Sequence, residues 1–139
     1  MESSEAKFRF SDFIIKKSLI EKKDSESGSN FNINIQPEGK IFRKDQKFQL
    51  ELKTIIKDNN DVVNIEVVTL GNFYFDQEIA SEQLHKYFFL NAPAIMFPYI
   101  RAYITTLTSL SGYKPIILLP TLNLSSIGEQ LKENTSDID

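Results

Sequence analysis

The chain has 139 residues, 41% of them hydrophobic, with a formal net charge of −3 and no cysteine. That is length enough for one domain with a real core, and the charge balance argues against a nucleic-acid surface. Disulfides, thiolate nucleophiles and cysteine-based zinc sites are excluded outright.

The opening MESSEAKFRF has neither a basic leader nor an apolar run, so no signal peptide is expected. The most apolar segment, residues 87–100, is interrupted by Asn91, Pro93 and Pro98 and is too short to span a bilayer. The expectation is a cytoplasmic protein with no direct membrane insertion.

Across residues 7–22, Phe8, Phe10, Phe13, Ile15 and Leu19 mark a strand whose apolar phase slips between Phe10 and Phe13. Either a bulge sits around Ser11 and Asp12, or the strand is apolar on both faces because it lies at an interface. Residues 23–30, KDSESGSN, read as a solvated connection. Phe31, Ile33 and Ile35 then alternate with polar residues until Pro37 and Gly39. This is either an edge strand with Pro37 at a position that need not donate, or an extended crossing segment with its apolar side chains outward.

Strand character resumes at Ile41 and Phe42, turns at residues 43–46, and returns through Phe48, Leu50, Leu52 and Ile56. Asp58-Asn59-Asn60-Asp61 is a hairpin signal. Val63, Ile65, Val67, Thr69, Phe73 and Phe75 follow on one face, with Gly71 marking either a bulge or a close approach. Four antiparallel strands result, one face wanting helical cover.

Residues 81–90 read as a short helix leading into a long one over residues 91–113, NAPAIMFPYIRAYITTLTSLSGY. Asn91 is placed to cap the long helix, Pro93 falls in its first turn, Pro98 predicts a kink near Ala94, and Gly112 ends it. Met96, Ile100, Tyr103, Leu107 and Leu110 form one apolar stripe, with Ile95, Tyr99 and Ala102 beside it. So apolar a helix is either the central core helix of a monomer or one covered on its second side by a partner subunit. Residues 114–120, KPIILLP, read as an extended connection, and a last short amphipathic helix starts near Ser126, where Ser126 and Glu129 have capping-box spacing. The polar residues 134–139 are expected to be a disordered tail.

The run Ala92-Pro93-Ala94-Ile95-Met96-Phe97-Pro98-Tyr99-Ile100-Arg101 resembles the signature of the SecB family of export chaperones, matching at Pro93, Ile95, Phe97, Pro98, Tyr99 and Arg101. Gln36-Pro37-Glu38, Glu66-Val67 with Gly71 and Phe73, and Leu119-Pro120-Thr121-Leu122-Asn123-Leu124 are similar to family patterns too. The family has an acidic residue where this chain has Ala102. The resemblance implies an α+β fold: a four-stranded antiparallel β-meander followed by a long kinked helix and a short C-terminal helix, in one domain over residues 1–133.

No catalytic set stands out. His85 is the single histidine and reads as a surface or partly packed side chain. Acid pairs such as Asp58 with Asp61, or Glu51 with Glu66, have the spacing of solvated turn and strand positions. No nucleotide loop or nucleophile elbow is present, so neither enzymatic activity nor a cofactor or metal is expected.

The sequence is instead rich in apolar groups for its size. Phe31, Ile33, Ile35, Leu122, Leu124, Ile127 and Leu131 either line a groove that accepts extended, non-native polypeptide, or seal the core and a subunit contact. The SecB resemblance implies the groove, in an ATP-independent holdase for unfolded or precursor polypeptides. It also implies a homotetramer, a dimer of dimers, with Met96, Ile100, Tyr103, Leu107 and Leu110 at the oligomer interface. The translocase motor SecA would be its partner, facing Glu21 and Glu66, although Lys17 and Asn64 stand where the family has an acidic and an apolar residue. The alternatives are a SecB-like chaperone for another client such as an antitoxin, a hot-dog-like thioesterase or ligand-binding protein, and an oligomeric adaptor with one folded partner.

Overall fold

In the computed structural model, residues 7–112, 119 and 124–139 are described. The strands are β1 (Phe8–Lys22), β2 (Phe31–Phe42), β3 (Lys47–Asp58), β4 (Val63–Phe75) and a short β5 (Thr135–Asp137). Helix α1 (Ser81–Lys86) runs through a π-helical turn at Tyr87–Asn91 into α2 (Ala92–Leu110), and α3 is Leu124–Glu133.

The fold class is the expected one, but the strand order is β1-β4-β3-β2-β5. Only β2, β3 and β4 form a meander. β1 crosses by way of residues 23–30 to pair antiparallel with β4, from Phe8 opposite Phe75 to Lys22 opposite Val63, so the sheet has Greek-key character. The expected bulge in β1 is present as a register shift between Phe10 and Asp12, and a second lies between Ile15 and Lys17. Each shift swaps the faces, which is how one strand presents Phe8 to the core and Ile14 to solvent.

Strict alternation in β3 and β4 produces the core. Phe48, Leu50, Leu52, Ile56, Val63, Ile65, Val67 and Phe73 are all buried on the helix-covered face. Each contributes on the order of 1.5–3 kcal/mol by leaving water. Phe88, from the π turn, stacks on Phe48 with ring centroids 4.3 Å apart, and Phe8 stacks on Phe73 and Tyr87, each at 5.1 Å. These rings fix where the helical rod meets the sheet.

The rod differs from expectation at its joint. Asn91 caps nothing: it is helical, with φ −74° and ψ −42° and no side-chain cap bond. The Ala92 N–H reaches back to the Tyr87 carbonyl, one residue beyond the α spacing. Pro93 follows at once; it has no N–H for the Phe89 carbonyl four residues earlier, which favours such a local change of winding. Helix α2 continues through Pro98, so the departure from α geometry lies at residues 87–91 and not near Ala94. Gly112, at φ +78°, ends the helix as expected.

Gly71 is a close approach and not a bulge: the β3–β4 register runs unbroken past it, and a Cβ there would lie 2.4 Å from Met96 Sδ. Residues 134–139, expected to be a disordered tail, lie paired along the edge of β2. Their backbone finds unpaired groups there, and their carboxylates find Arg43.

Candidate functional site

Among the described residues, the cover over β2 is thinnest at its start. The strand becomes more buried along its length: Phe31 and Ile33 are half-buried, while Ile35, Pro37, Gly39 and Ile41 are buried. The cover at the far end comes from α3, whose Leu131 is fully buried and would lie 3.1 Å from a Cβ on Gly39.

Backbone direction adds a second property. Gly39 N donates to the Asn134 carbonyl at 3.2 Å and the Ile41 carbonyl accepts from Ile138 N at 2.9 Å, so odd-numbered residues of β2 aim their backbone groups at the outer edge. By the two-residue repeat, Phe31, Ile33, Ile35 and Pro37 do the same. Pro37 therefore lacks its N–H on the side where β3 needs no donor, and β2 pairs with β3 without a break from Phe31 to Phe42. Of the two sequence readings, the edge strand is the one realised. Among the described residues, the outer edge is paired with a strand only at Gly39, Lys40 and Ile41. Apolar side chains and outward-aimed backbone groups with no strand partner among the described residues thus occur together over residues 31–35.

Three of the other expected groove residues, Ile35, Ile127 and Leu131, are buried. Ile127 is 8% exposed and Leu131 is 0%, because α3 turns its small apolar face onto β2 and the π turn. Ile35 is also buried at 7%. Leu122 lies outside the described residues, and so does the side chain of Leu124. Among the described residues of the groove expected from sequence, Phe31 and Ile33 retain accessible surface.

A second apolar surface lies across the sheet, where β1 is the outermost strand. Phe10, Phe13 and Tyr99 cluster there, with Tyr99 5.6 Å from Phe10 and 5.1 Å from Phe13 between ring centroids. Ile14, Tyr99 and Leu110 are exposed, and Tyr103 donates from its hydroxyl to Ser18 Oγ at 2.8 Å. The stripe expected at an interface is thereby divided. Met96 and Ile100 are each 1% exposed beneath the chain's own sheet, in line with Ile104 and Thr108, so they cannot meet a partner. Tyr103 and Leu107 are half-buried on the flank, and Leu110 stands out. Each step of four residues advances by about 40°, so the buried row 96, 100, 104 and 108 winds away from 103, 107 and 110.

The opposite face of the sheet is polar and internally paired. Glu66 is held between Lys17 and Lys53, the latter at 3.2 Å, and the Lys17 hydrogen bond leads in lowering its carboxyl below the usual range. Lys16 meets Glu51 at 2.9 Å, and that hydrogen bond raises the lysine. Glu21 accepts from Asn64 Nδ2 at 3.4 Å. Glu21 and Glu66 share this face, but the charge of Glu66 is offset by two lysines, so it makes no acidic patch.

Asp58 was expected to be solvated and is buried. Burial opposes its ionisation, but the amides of Gly28, Val63, Val62 and Asn60 donate to it and bring it to about 2. Gly28 N lies at 2.7 Å, and Val62 N and Val63 N each at 2.8 Å. The carboxylate thereby ties the crossing loop ahead of Phe31 to the β3–β4 turn. An Asp opening a tight Asx-type turn was the available sequence signal. His85 is exposed and lies against Phe89, as expected. Among the described residues no group of three or more His, Cys, Asp or Glu is placed to hold a metal, and no helix is long and apolar enough to cross a membrane.

A family model described as preprotein translocase subunit SecB matches residues 14–134. An uncharacterized protein of Methanocaldococcus jannaschii is 29% identical over 138 residues, covering 91% of this chain and 88% of that protein. The protein-export protein SecB of Anaplasma phagocytophilum is 38% identical over 60 residues, 42% of this chain and 37% of that one. SecB of Magnetococcus marinus is 25% identical over 100 residues, 70% of this chain and 62% of that one. The matches thus span less than two thirds of the length of these two SecB proteins. Among solved structures, the Mycobacterium tuberculosis Rv1957 SecB-like chaperone, in complex with a ChAD peptide from the HigA1 antitoxin, is similar with a TM-score of 0.70. That similarity covers 84% of this chain and 88% of that one at 16% identity, a likeness of fold.

Proposed function

The chain belongs to the SecB family, and from that premise we propose that it is an ATP-independent holdase that captures extended, unfolded polypeptide along the open edge of β2. It is a chaperone of that family and not an enzyme. The observation that carries the reading is the coincidence of half-buried Phe31 and Ile33 with outward-aimed backbone groups on one strand edge. Such an edge recognises any chain able to go extended: backbone pairing is indifferent to sequence, and the apolar side chains add burial. A compact folded protein offers no free strand, so selectivity follows without nucleotide.

The flank of Phe13, Ile14, Tyr99, Tyr103 and Leu110 is the surface we assign to self-assembly, as a dimer of dimers in the cytoplasm. Several weak edges on one oligomer raise avidity for a long client. Delivery to SecA is the family's task and the first reading of the partner here. The pairing of Glu66 with Lys17 and Lys53 is what weighs against an acidic docking face. A second reading, a chaperone for one client such as an antitoxin, draws on the peptide held by the Mycobacterium tuberculosis chaperone of like fold. The hot-dog reading is set aside with the family assignment.

The experiment is dilution of a urea-unfolded test enzyme, followed by light scattering, with and without this protein and with no nucleotide. Scattering that falls in proportion to added protein, with the folded enzyme left unbound, supports the holdase. Unchanged scattering removes it.

A further inference from the structure

The edge of β2 is not open throughout, and what closes its far end belongs to the same chain. Strand β5 lies parallel to β2, with Thr135, Ser136 and Asp137 opposite Gly39, Lys40 and Ile41. Gly39 N donates to the Asn134 carbonyl and Ile138 N to the Ile41 carbonyl, while Asn134 Nδ2 reaches the Pro37 carbonyl at 3.3 Å. Two carboxylates complete the seat: Asp137 accepts from Arg43 Nε at 2.8 Å, and Asp139 accepts from Arg43 N at 2.8 Å and Lys44 N at 3.3 Å. The fit requires Gly39, since a Cβ there would lie 2.6 Å from Thr135 Oγ1.

This hold is specific in geometry and weak in kind. Ser136, Asp137, Ile138 and Asp139 are exposed, and Ile138 keeps 49% of its surface in water. The Arg43–Asp137 pair is about half exposed on both sides, where ion pairs contribute little. A short edge strand without a buried apolar anchor opens at low cost.

Resting on the holdase reading, we infer that residues 134–139 are an intramolecular strap. They occupy the far end of the client edge and leave when an extended segment carrying a carboxylate toward Arg43 takes their place. A short client strand fits along residues 31–35 beside the strap, and a longer one must displace it. Because the strap is tethered through α3, the competitor works against an effective concentration on the order of millimolar. Only a segment that also engages Phe31 and Ile33 has the extra burial to succeed, so the strap filters for length.

The chain has no cysteine, and Lys40 and Ser136 are exposed register partners across β2 and β5. The full chain with Lys40→Cys and Ser136→Cys is tested oxidised and reduced against carboxymethylated α-lactalbumin, an acidic, permanently unfolded probe. Oxidation is expected to weaken capture at least fivefold, and reduction to restore it. In the wild-type chain, saturating probe is expected to speed hydrogen exchange at Ile138 N at least tenfold while Gly39 N stays protected. Asp137→Asn with Asp139→Asn is expected to tighten capture two- to fivefold. Equal capture by the oxidised and reduced forms, with Ile138 exchange unmoved by bound probe, overturns the strap and leaves the holdase standing. A wild-type chain that binds no probe overturns both.

Discussion

The carbonyl oxygen of Phe89 lies 2.5 Å from the position a Cβ would take on Gly128, so α3 sits directly against the backbone of the π turn. Alanine at Gly128 should raise intrinsic helix stability by about 1 kcal/mol. The clash is with backbone, which cannot swing aside, and it wins. Gly128→Ala is expected to destabilise by roughly 1–3 kcal/mol, read as a lower midpoint in urea. A gain in stability would show that α3 can slide.

Leu131 of the same helix is fully buried over Gly39 of β2, whereas Phe31 and Ile33 are half-buried. Leu131→Ser should cost about 3 kcal/mol or more in stability. Phe31→Ser and Ile33→Ser should each cost roughly 1 kcal/mol and weaken capture of the unfolded probe severalfold. Circular dichroism melts beside binding curves separate the two effects. If Phe31→Ser and Ile33→Ser leave capture unchanged, β2 is not the client edge.

Asp58 makes stability depend on acid. Its carboxyl is lowered from 3.8 to about 2 in the folded chain. The charged form is thus favoured by folding, and the stability it supplies is complete above about pH 4 and is lost as pH falls toward 2. Asp58→Asn should be less stable at neutral pH and show a flatter stability profile between pH 4 and 2. Glu66, also lowered, adds a slope of the same sign, so the difference between variant and wild type is the quantity to measure. Identical slopes would remove Asp58 as the anchor of the crossing loop.

Ile14 is 54% exposed on β1, the outermost strand, and follows Phe13 in sequence. An aspartate there costs a lone chain little, but burying that charge at a subunit contact costs several kcal/mol, on the order of 3–5. Ile14→Asp is therefore expected to lower the solution mass, to that of a dimer or of one chain, while leaving the circular dichroism spectrum unchanged. An undiminished mass would move assembly to another face. Met96→Asp would be uninformative, since Met96 lies under the chain's own sheet.

Much of this architecture was legible in the residues because it rests on local periodicity. Alternation in 48–56 and 63–75 marked the core face, the phase slip after Phe10 marked a bulge, and the two prolines and aromatics of 92–101 carried the family. The strand order was not legible, since whether β1 pairs with β2 or β4 depends on the path of residues 23–30 and not on any strand's own pattern. Nor was the division of helix α2: 96, 100 and 103 all read as apolar, and only the sheet's position decides which of them it covers. The same holds for Ile127 and Leu131, which a groove and a core would both favour. Residues 134–139 were the largest difference. Their polar composition describes a segment that cannot fold alone, but a neighbouring strand edge supplies the hydrogen bonds, and Arg43 the countercharge, that composition cannot count. The sequence by itself thus determined which residues seek burial and in what period. The tertiary structure alone decided what meets them, because burial and edge pairing are properties of contacts between distant parts of the chain.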